Sequence, residues 1–506
     1  MGFDNYPSLT GTIVNFDGQD FDFRSILQIT EHNQVLVTVY DIAPDVVNQI
    51  REEDYCCACV KLDNGDYFSL FDVQVKGESY SIFPDHLPIK GTTTLLARYA
   101  IRGSNSFSAN DTFAKFSAEI TDGYELFGLC PYDVGPLIMD MFHRNPIHIP
   151  FNNPSIVSNI SLGKITFAAY PHPSFSKDAL SFGFQHQIMI DLNAPISPRE
   201  FSKVLGPLTD FMSILCGEFV RINRLNLIVD TGEGRNDVYD FIGYCNYPRP
   251  NLKLLQGNGF DTTGYLRTAI FKISDFSDIS AALELWLNNL CKQDFLLAHE
   301  SYGRILMDED VGIVTQNRFL AAMQLVEGYV SAFHSDDSTI AEFKLQKDRI
   351  ISQLQDDVDK TLVEQNLVPS GFTFRRAVEL FLWEGISIFD PSKIISKTQW
   401  KAKYGSLITK IVDMRNLYTH SSNLLQLKLD IHDCTRIASI CKDLYRANML
   451  RKMGLSDEQI KLRFSHSRAF VSYLETVFDI KLDFRDSLPK FDKDMWYFSD
   501  SEKVTR

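Results

Sequence analysis

No apolar run in this 506-residue chain approaches the roughly 20 residues needed to cross a bilayer, so a membrane-embedded protein is not expected. The opening residues, Met1-Gly2-Phe3-Asp4-Asn5-Tyr6, lack the basic start and apolar core of a secretory signal, and a cytoplasmic protein is expected. Positive charge is scarce. Fifty Lys and Arg against 65 Asp and Glu leave a net charge of −15, which excludes a protein that coats nucleic acid over its whole surface. A local basic site remains open. There is no Gly-x-Ser-x-Gly elbow for a serine hydrolase. Gly257-Asn258-Gly259 lacks the third glycine and the strand-to-helix setting of a dinucleotide fingerprint. Neither an internal repeat nor a low-complexity tract is present.

Cysteine is also sparse, nine in all, as expected of reduced and mostly buried thiols. The one cluster, Cys56-Cys57-Ala58-Cys59, has no second Cys/His pair at ligand spacing, and it reads as a β-strand with Cys57 and Cys59 on one face. His143, His148 and His172, in proline-bounded loops, read as surface or turn residues. No metal and no cofactor are assigned.

What is present is ordinary globular composition, 44% hydrophobic and 23% charged, over a length that suggests two to four domains. Residues 1–275 read as mainly β. Short runs rich in β-branched and aromatic residues occur at 9–16, 35–40, 55–62, 67–75, 92–101, 113–120, 160–170, 182–192, 219–229 and 265–273. Asn64-Gly65 marks a hairpin and Thr231-Gly232-Glu233-Gly234-Arg235 a turn. One helix is expected from the Ser197-Pro198-Arg199-Glu200 start to the Cys216-Gly217 stop. The pattern predicts a sandwich or barrel, divisible into two lobes near residue 150.

From residue 276 the periodicity turns helical, with segments at 280–302, 317–333, 338–365, 372–389, 404–419, 424–453 and 456–479. Gly454 stops one helix, and Ser456-Asp457-Glu458-Gln459 opens the next with a capping-box pattern. The fold class is therefore α+β and multidomain, a β-rich half (1–275) followed by an all-α bundle (276–506).

Chemistry concentrates at Ile411-Val412-Asp413-Met414-Arg415-Asn416-Leu417-Tyr418-Thr419-His420. Arg415 is a permanent cation able to grip a phosphate bidentately, and His420 is suited to proton transfer near neutral pH. Upstream, Lys393, Lys397, Lys401, Lys403 and Lys410 occur in a stretch with no acidic residue. Arg436, Lys442, Arg446, Arg451, Lys452, Lys461 and Arg463 follow the motif. Such a reversal in an acidic chain suits a phosphate-binding face, and equally a solvated helix face. Tyr418 suits stacking on a base or packing in the bundle. On a straight helix Arg415 and His420 lie about 140° apart, so one copy cannot bring both to one phosphate. Either the helix starts or bends there, or a second copy meets it across a two-fold axis.

The segment resembles the signature of the HEPN superfamily: arginine, a polar residue, three variable residues, histidine. Leu444-Tyr445-Arg446-Ala447-Asn448-Met449-Leu450-Arg451-Lys452-Met453-Gly454-Leu455-Ser456 is similar to the tail of ApeA-like HEPN domains. The stretch from Thr315-Gln316-Asn317-Arg318-Phe319-Leu320 to Glu327-Gly328-Tyr329 is similar to their opening helix. Leu9-Thr10-Gly11-Thr12-Ile13 and the β-rich half resemble the ApeA N-terminal domain. The resemblance implies a bundle that dimerises around the motif and cuts RNA without a metal, with Arg415 and His420 catalytic and Asn416 in support. It further implies anti-phage defence of the abortive-infection kind. The expected partners are an RNA substrate, tRNA among the candidates, a second copy of the chain, and a phage-derived trigger at the N-terminal domain. The rival readings are a HEPN bundle that only dimerises and a β-rich half that binds a ligand as the active part.

Overall fold

The computed structural model describes residues 8–16, 18–30, 34–52, 56–80, 91–120, 126–129, 152–175, 180–232, 235–243, 270–310, 316–334, 338–356, 359–361, 363, 373–389, 397–420 and 429–482. The chain forms two compact units, Met1–Thr209 with Val220–Asn258 and Asp210–Phe219 with Gly259–Arg506.

The first unit is built on alternation. In β3 (Val35–Ile42), Val35, Val37 and Val39 are fully buried while the residues between them are partly exposed, the period-2 signature of a strand with one face in a core. Strands β1 (Leu9–Phe16), β2 (Gln19–Ile29), β3, β4 (Cys56–Leu62), β5 (Tyr67–Tyr80) and β6 (Gly91–Gly103) pair in the order β3-β2-β1-β4-β5-β6, and β3 closes back on β6. The result is a six-stranded antiparallel barrel packed with Ile13, Leu27, Val60, Phe68, Leu70 and Leu95. Helix α1 (Pro44–Glu52), not anticipated from the sequence, adds Val47 and Ile50 to that core.

The barrel opens along β6. Residues Gly91–Ala97 pair with β3, whereas Ala100–Arg102 pair with β12 (Asn236–Ile242). From there the sheet continues through β11 (Ile222–Asp230), β7 (Phe113–Ile120), β10 (Leu180–Ile196), β9 (Gly163–Phe175) and β8 (Ser155–Ile160). Strands on both sides of residue 150 thus belong to one 12-stranded sheet. The Asn64-Gly65 hairpin joins β4 to β5, with Gly65 alone at positive φ (+94°). The Thr231–Arg235 turn joins β11 to β12.

Helix α2 (Phe201–Cys216) follows the expected Ser197-Pro198 start, and the division between units falls inside it. Its first half seats Phe201 against Phe113, Phe116 and Phe241. Of the run at 265–273, residues 265–269 lie outside the described residues, and Ile273 opens a 3-10 turn rather than ending a strand. His143 and His148 also lie outside them.

The second unit is helical: α3 (Ile279–Leu290), α4 (Gln293–Asp310), α5 (Gln316–His334), α6 (Ser338–Gln353), α7 (Phe374–Phe389), α8 (Lys397–His420), α9 (Ile431–Lys452), α10 (Asp457–Ser465) and α11 (Arg468–Phe478). Three expected helices are interrupted, the 338–365 segment at residues 354–356. The 280–302 segment turns at Cys291-Lys292, and the 456–479 segment breaks at His466, where Ser467 caps α11 by accepting from the Phe470 N–H at 3.3 Å. The Ser456 capping box is present, with Gln459 N–H donating to Ser456 Oγ and Ser456 N–H to Gln459 Oε1.

Helix α9 runs through the middle of the bundle, and every residue from Ile437 to Leu450 is buried. Its charged residues are consequently paired. Lys442 bonds Glu309 at 2.6 Å, Arg318 bonds Glu309 and Ser439, and Arg446, fully buried, contacts Asp443 at 3.4 Å. Burial alone would raise the Glu309 carboxyl, but Lys442 and Arg318 outweigh it and hold it low. Burial would lower the Lys442 ammonium, yet Asp443 and Glu309 keep it raised. This corrects the downstream half of the expected phosphate face. Arg436, Lys442, Arg446, Arg451, Lys452 and Arg463 all have carboxylate partners within the unit, and for Lys442 and Arg446 the reason is burial, since a charge inside the bundle is tolerated only when it is neutralised.

Candidate active site

Helix α8 presents one stripe to the bundle. Trp400, Tyr404, Ile408, Ile411 and Met414, spaced by three and four, are all buried. The Trp400 and Tyr404 rings stand 4.4 Å apart, and the Tyr404 hydroxyl donates to the Phe478 carbonyl at 3.1 Å. This anchoring fixes which residues of the motif face which way.

Arg415 lies at the edge of the buried stripe, about 40° from Ile411 at 100° per residue. Its side chain is 27% exposed and is held from three sides. The guanidinium carbon sits 5.0 Å above the Phe374 ring, NH2 lies 3.5 Å from Glu327 Oε2, and NH1 lies 3.4 Å from Asn416 Oδ1. Three separate segments contribute: α5 the carboxylate, the start of α7 the ring, and α8 the cation.

The helix runs unbroken from Lys397 to His420, so it does not start at the motif. The backbone of His420 closes it, about 140° around and roughly 7.5 Å along from Arg415. The side chains of His420 and Lys397 lie outside the described residues, as does Lys393 altogether. Asn416 is exposed, about 40° from the His420 direction, on the solvent side.

Tyr418 is half-buried. Its ring meets Phe319 edge-on at 5.9 Å, and its hydroxyl is 3.9 Å from Cys434 Sγ. Burial, and then the Cys434 thiol, push the phenol up to about 12.

Of the described lysines, Lys401 and Lys410 are exposed, while Lys403 lies 3.8 Å from Asp479 and over the Tyr404 ring. Lys410 is about 7.5 Å along the axis from Arg415, and Lys401 about 21 Å. They could follow an extended backbone but could not share one phosphate.

The sequence reading passed over Arg375 and Arg376. Arg375 donates to Thr409 Oγ1 at 2.9 Å and to the Gly405 carbonyl at 3.4 Å, keeping 44% of its side chain exposed beside α8. A signal for them existed. Two arginines stand in the first turn of α7, where no acidic residue offsets them against the helix dipole; both pair with Glu379 one turn on, Arg375 at 3.4 Å and Arg376 at 3.5 Å, and Arg375 also reaches α8. Glu327 carried no comparable signal.

In the first unit a cavity of about 640 Å³ opens between β1, β4 and the 106–111 loop, lined by Asn15, Asp20, Cys57, Cys59, Phe107 and Asp111 among others. The strand pairing slips at Val14 and at Cys57, both of which line it. Burial pushes the Cys59 thiol up to about 11, which makes it a poor nucleophile or metal ligand as it stands. Among the described residues no group of three or more His, Cys, Asp or Glu could hold a metal, and no helix is long and apolar enough to cross a membrane.

The family model of ApeA N-terminal domain 1 matches residues 8–286, more than half of the chain, and that of Apea-like HEPN matches residues 320–459. The latter span takes in Glu327, Phe374, Arg375, Arg415 and His420. No curated protein and no solved structure matches the chain significantly.

Proposed function

The chain belongs to the family that carries ApeA N-terminal domain 1, here followed by an Apea-like HEPN domain, and from that premise we propose an anti-phage effector of the abortive-infection kind that cuts RNA without a metal. The RNA 2′-hydroxyl attacks the adjacent phosphorus, giving a cyclic phosphate and a 5′-hydroxyl. Arg415 stabilises charge on the non-bridging oxygens, Asn416 steadies the guanidinium, and His420 moves a proton, a contribution typically worth about 10²–10⁴-fold. The obligatory 2′-hydroxyl restricts the enzyme to RNA. Arg375, Lys401 and Lys410, with Lys393, Lys397 and Lys403, serve the substrate backbone.

The observation that carries this reading is the state of Arg415. It is held by a ring and two polar side chains and is still partly open to solvent. The offset of about 140° to His420 makes the working unit two motifs facing each other in a homodimer, Arg415 of one copy acting with His420 of the other. Restraint of the nuclease, and its release by a phage-derived trigger in the bacterial cytoplasm, fall to the β-rich domain, which carries no catalytic constellation of its own in the sequence.

The test compares RNA integrity and survival after infection for wild type, Arg415→Ala and His420→Ala. Both variants should fold, spare RNA and lose protection; if they cut as wild type does, the reading is wrong. Mixing the two variants should restore cleavage, because a mixed dimer regains one complete site. A mixture that stays inactive would sink the shared-site geometry.

One observation favours a second reading, in which the β-rich domain binds a ligand and the bundle only dimerises it. The cavity of about 640 Å³ is the size of a small-molecule site and has polar groups with one aromatic ring. Ligand binding there, together with RNA left intact by wild type, would support it.

A further inference from the structure

We propose that Glu327 is the second proton-transfer residue of this site, taking the proton from the 2′-hydroxyl while His420 gives one to the departing 5′-oxygen. The inference rests on the nuclease reading and adds to it a residue outside the arginine–histidine motif.

The chemistry needs two proton movements. A bond forms between O2′ and phosphorus as the 2′-hydroxyl proton leaves for Glu327, and the P–O5′ bond breaks as the His420 imidazolium protonates O5′. The products are a 2′,3′-cyclic phosphate and a 5′-hydroxyl, and exchange with water returns both residues to their starting states. No oxidant, metal or further reactant is needed. Where Arg415 of one copy acts with one His420 of the other, each site holds a single histidine, and a group beside Arg415 is the candidate for the second proton carrier.

Position singles out Glu327. A guanidinium that binds the non-bridging oxygens sits within one phosphate's width of the attacking 2′-oxygen, so a base for that oxygen must be next to Arg415. Glu327 Oε2 is 3.5 Å from Arg415 NH2. With one donor turned to Glu327 and one to Asn416, about three of the five N–H donors of Arg415 are left for phosphate.

Stability does not account for the pair. A single contact between groups 27% and 46% exposed contributes about 0–1 kcal/mol. The buried ion pairs along α9 are built differently. Lys442 and Arg318 are 6% and 9% exposed and converge on one carboxylate, Glu309. Glu327 is instead 46% exposed on α5, where a substrate can reach it.

The test uses the full chain and the junction mapped in the wild-type reaction, made as a short RNA in two forms, one with the ordinary 5′-oxygen and one with sulfur in its place. Sulfur leaves without protonation. His420→Ala should lose about 10²–10⁴-fold on the oxygen substrate and regain most of it on sulfur. Glu327→Gln should lose a comparable factor on both, and Glu327→Asp should recover part of it, all at an unchanged melting temperature. If Glu327→Gln cuts both substrates like wild type while Arg415→Ala and His420→Ala are inactive, Glu327 is excluded and the nuclease reading survives. If sulfur rescues Glu327→Gln, Glu327 is not the base. If wild type cuts no better than Arg415→Ala, both readings fall.

Discussion

Arg446 Nε donates to the main-chain carbonyl of Ile214 at 2.9 Å, joining residues 232 apart in the chain. NH2 of the same side chain bonds the Leu215 carbonyl at 3.0 Å, so one fully buried guanidinium serves the last carbonyls of α2. The fit is close. A Cβ on Gly217, at φ +78°, would come 2.4 Å from Arg446 NH1. Replacing Arg446 with Leu takes a donor from the Ile214 carbonyl, leaves the Leu215 carbonyl with the Phe271 N–H at 3.0 Å, and removes a partner of buried Asp443. Unfolding of the full chain in urea should show a loss of about 3–5 kcal/mol. A loss below about 1 kcal/mol would show that these bonds are dispensable.

The same contact bears on where the bundle begins. A fragment starting at residue 276 lacks Asp210–Phe219, which packs as part of the helical unit. It also lacks the Ser213 carbonyl that accepts from the Tyr302 hydroxyl at 2.9 Å. That fragment should be helical in the far-ultraviolet yet without fixed aromatic signals in near-ultraviolet circular dichroism. Sharp native-like aromatic bands would show that the insertion is not needed.

Much of this architecture was legible beforehand, and the reasons differ by element. Val35, Val37 and Val39 announce a strand, and Ser456 with Gln459 announces a helix start, because both signals are local. Closure of the barrel by β3 on β6 was not legible, since no local pattern records which edges meet. Nor was the difference between a solvated lysine and Lys442. In sequence both are positive charges on a helix, and only the approach of Glu309 from α4 separates them. Arg415, Asn416 and His420 could be proposed from the sequence because they lie within six residues of one another. Glu327 reaches Arg415 from α5, and Arg375 reaches α8 at Gly405 and Thr409 from α7, which no local pattern records.

Acid should weaken one specific junction. Burial would raise the Glu384 carboxyl, but the hydrogen bond with His334 at 3.1 Å and the Lys452 ammonium at 3.2 Å outweigh it and bring it down to about 2 from an ordinary 4.5. A depressed folded value stabilises the fold above the unfolded value and ceases to do so as pH falls through the folded one. Between pH 4.5 and 2 the wild type should therefore lose up to about 3 kcal/mol that Glu384→Gln never had. Stability curves of the two proteins that run parallel across that window would refute this.

RNA affinity should report the cations around α8 one by one. Arg375→Ala and Lys410→Ala should each lower the slope of log affinity against log salt by about 0.7, with little dependence on sequence. An unchanged slope for either would place that residue outside the substrate path. Lys442→Ala should act on folding instead, because its ammonium is spent on Glu309.

Tyr418 separates packing from chemistry inside the motif itself. Its ring faces Phe319 edge-on, and among the described residues its hydroxyl meets only a thiol at 3.9 Å, a weak partner at best. A phenol pushed up to about 12 also holds its proton throughout the physiological range. Tyr418→Phe should therefore cut RNA within about threefold of wild type, because ring packing is kept and no charged group is lost. Tyr418→Ala opens a gap against Phe319 and should lower stability by about 3 kcal/mol. If Tyr418→Phe instead abolishes cleavage at unchanged stability, the hydroxyl contacts the substrate, and the ring would have to leave Phe319 to bring it there.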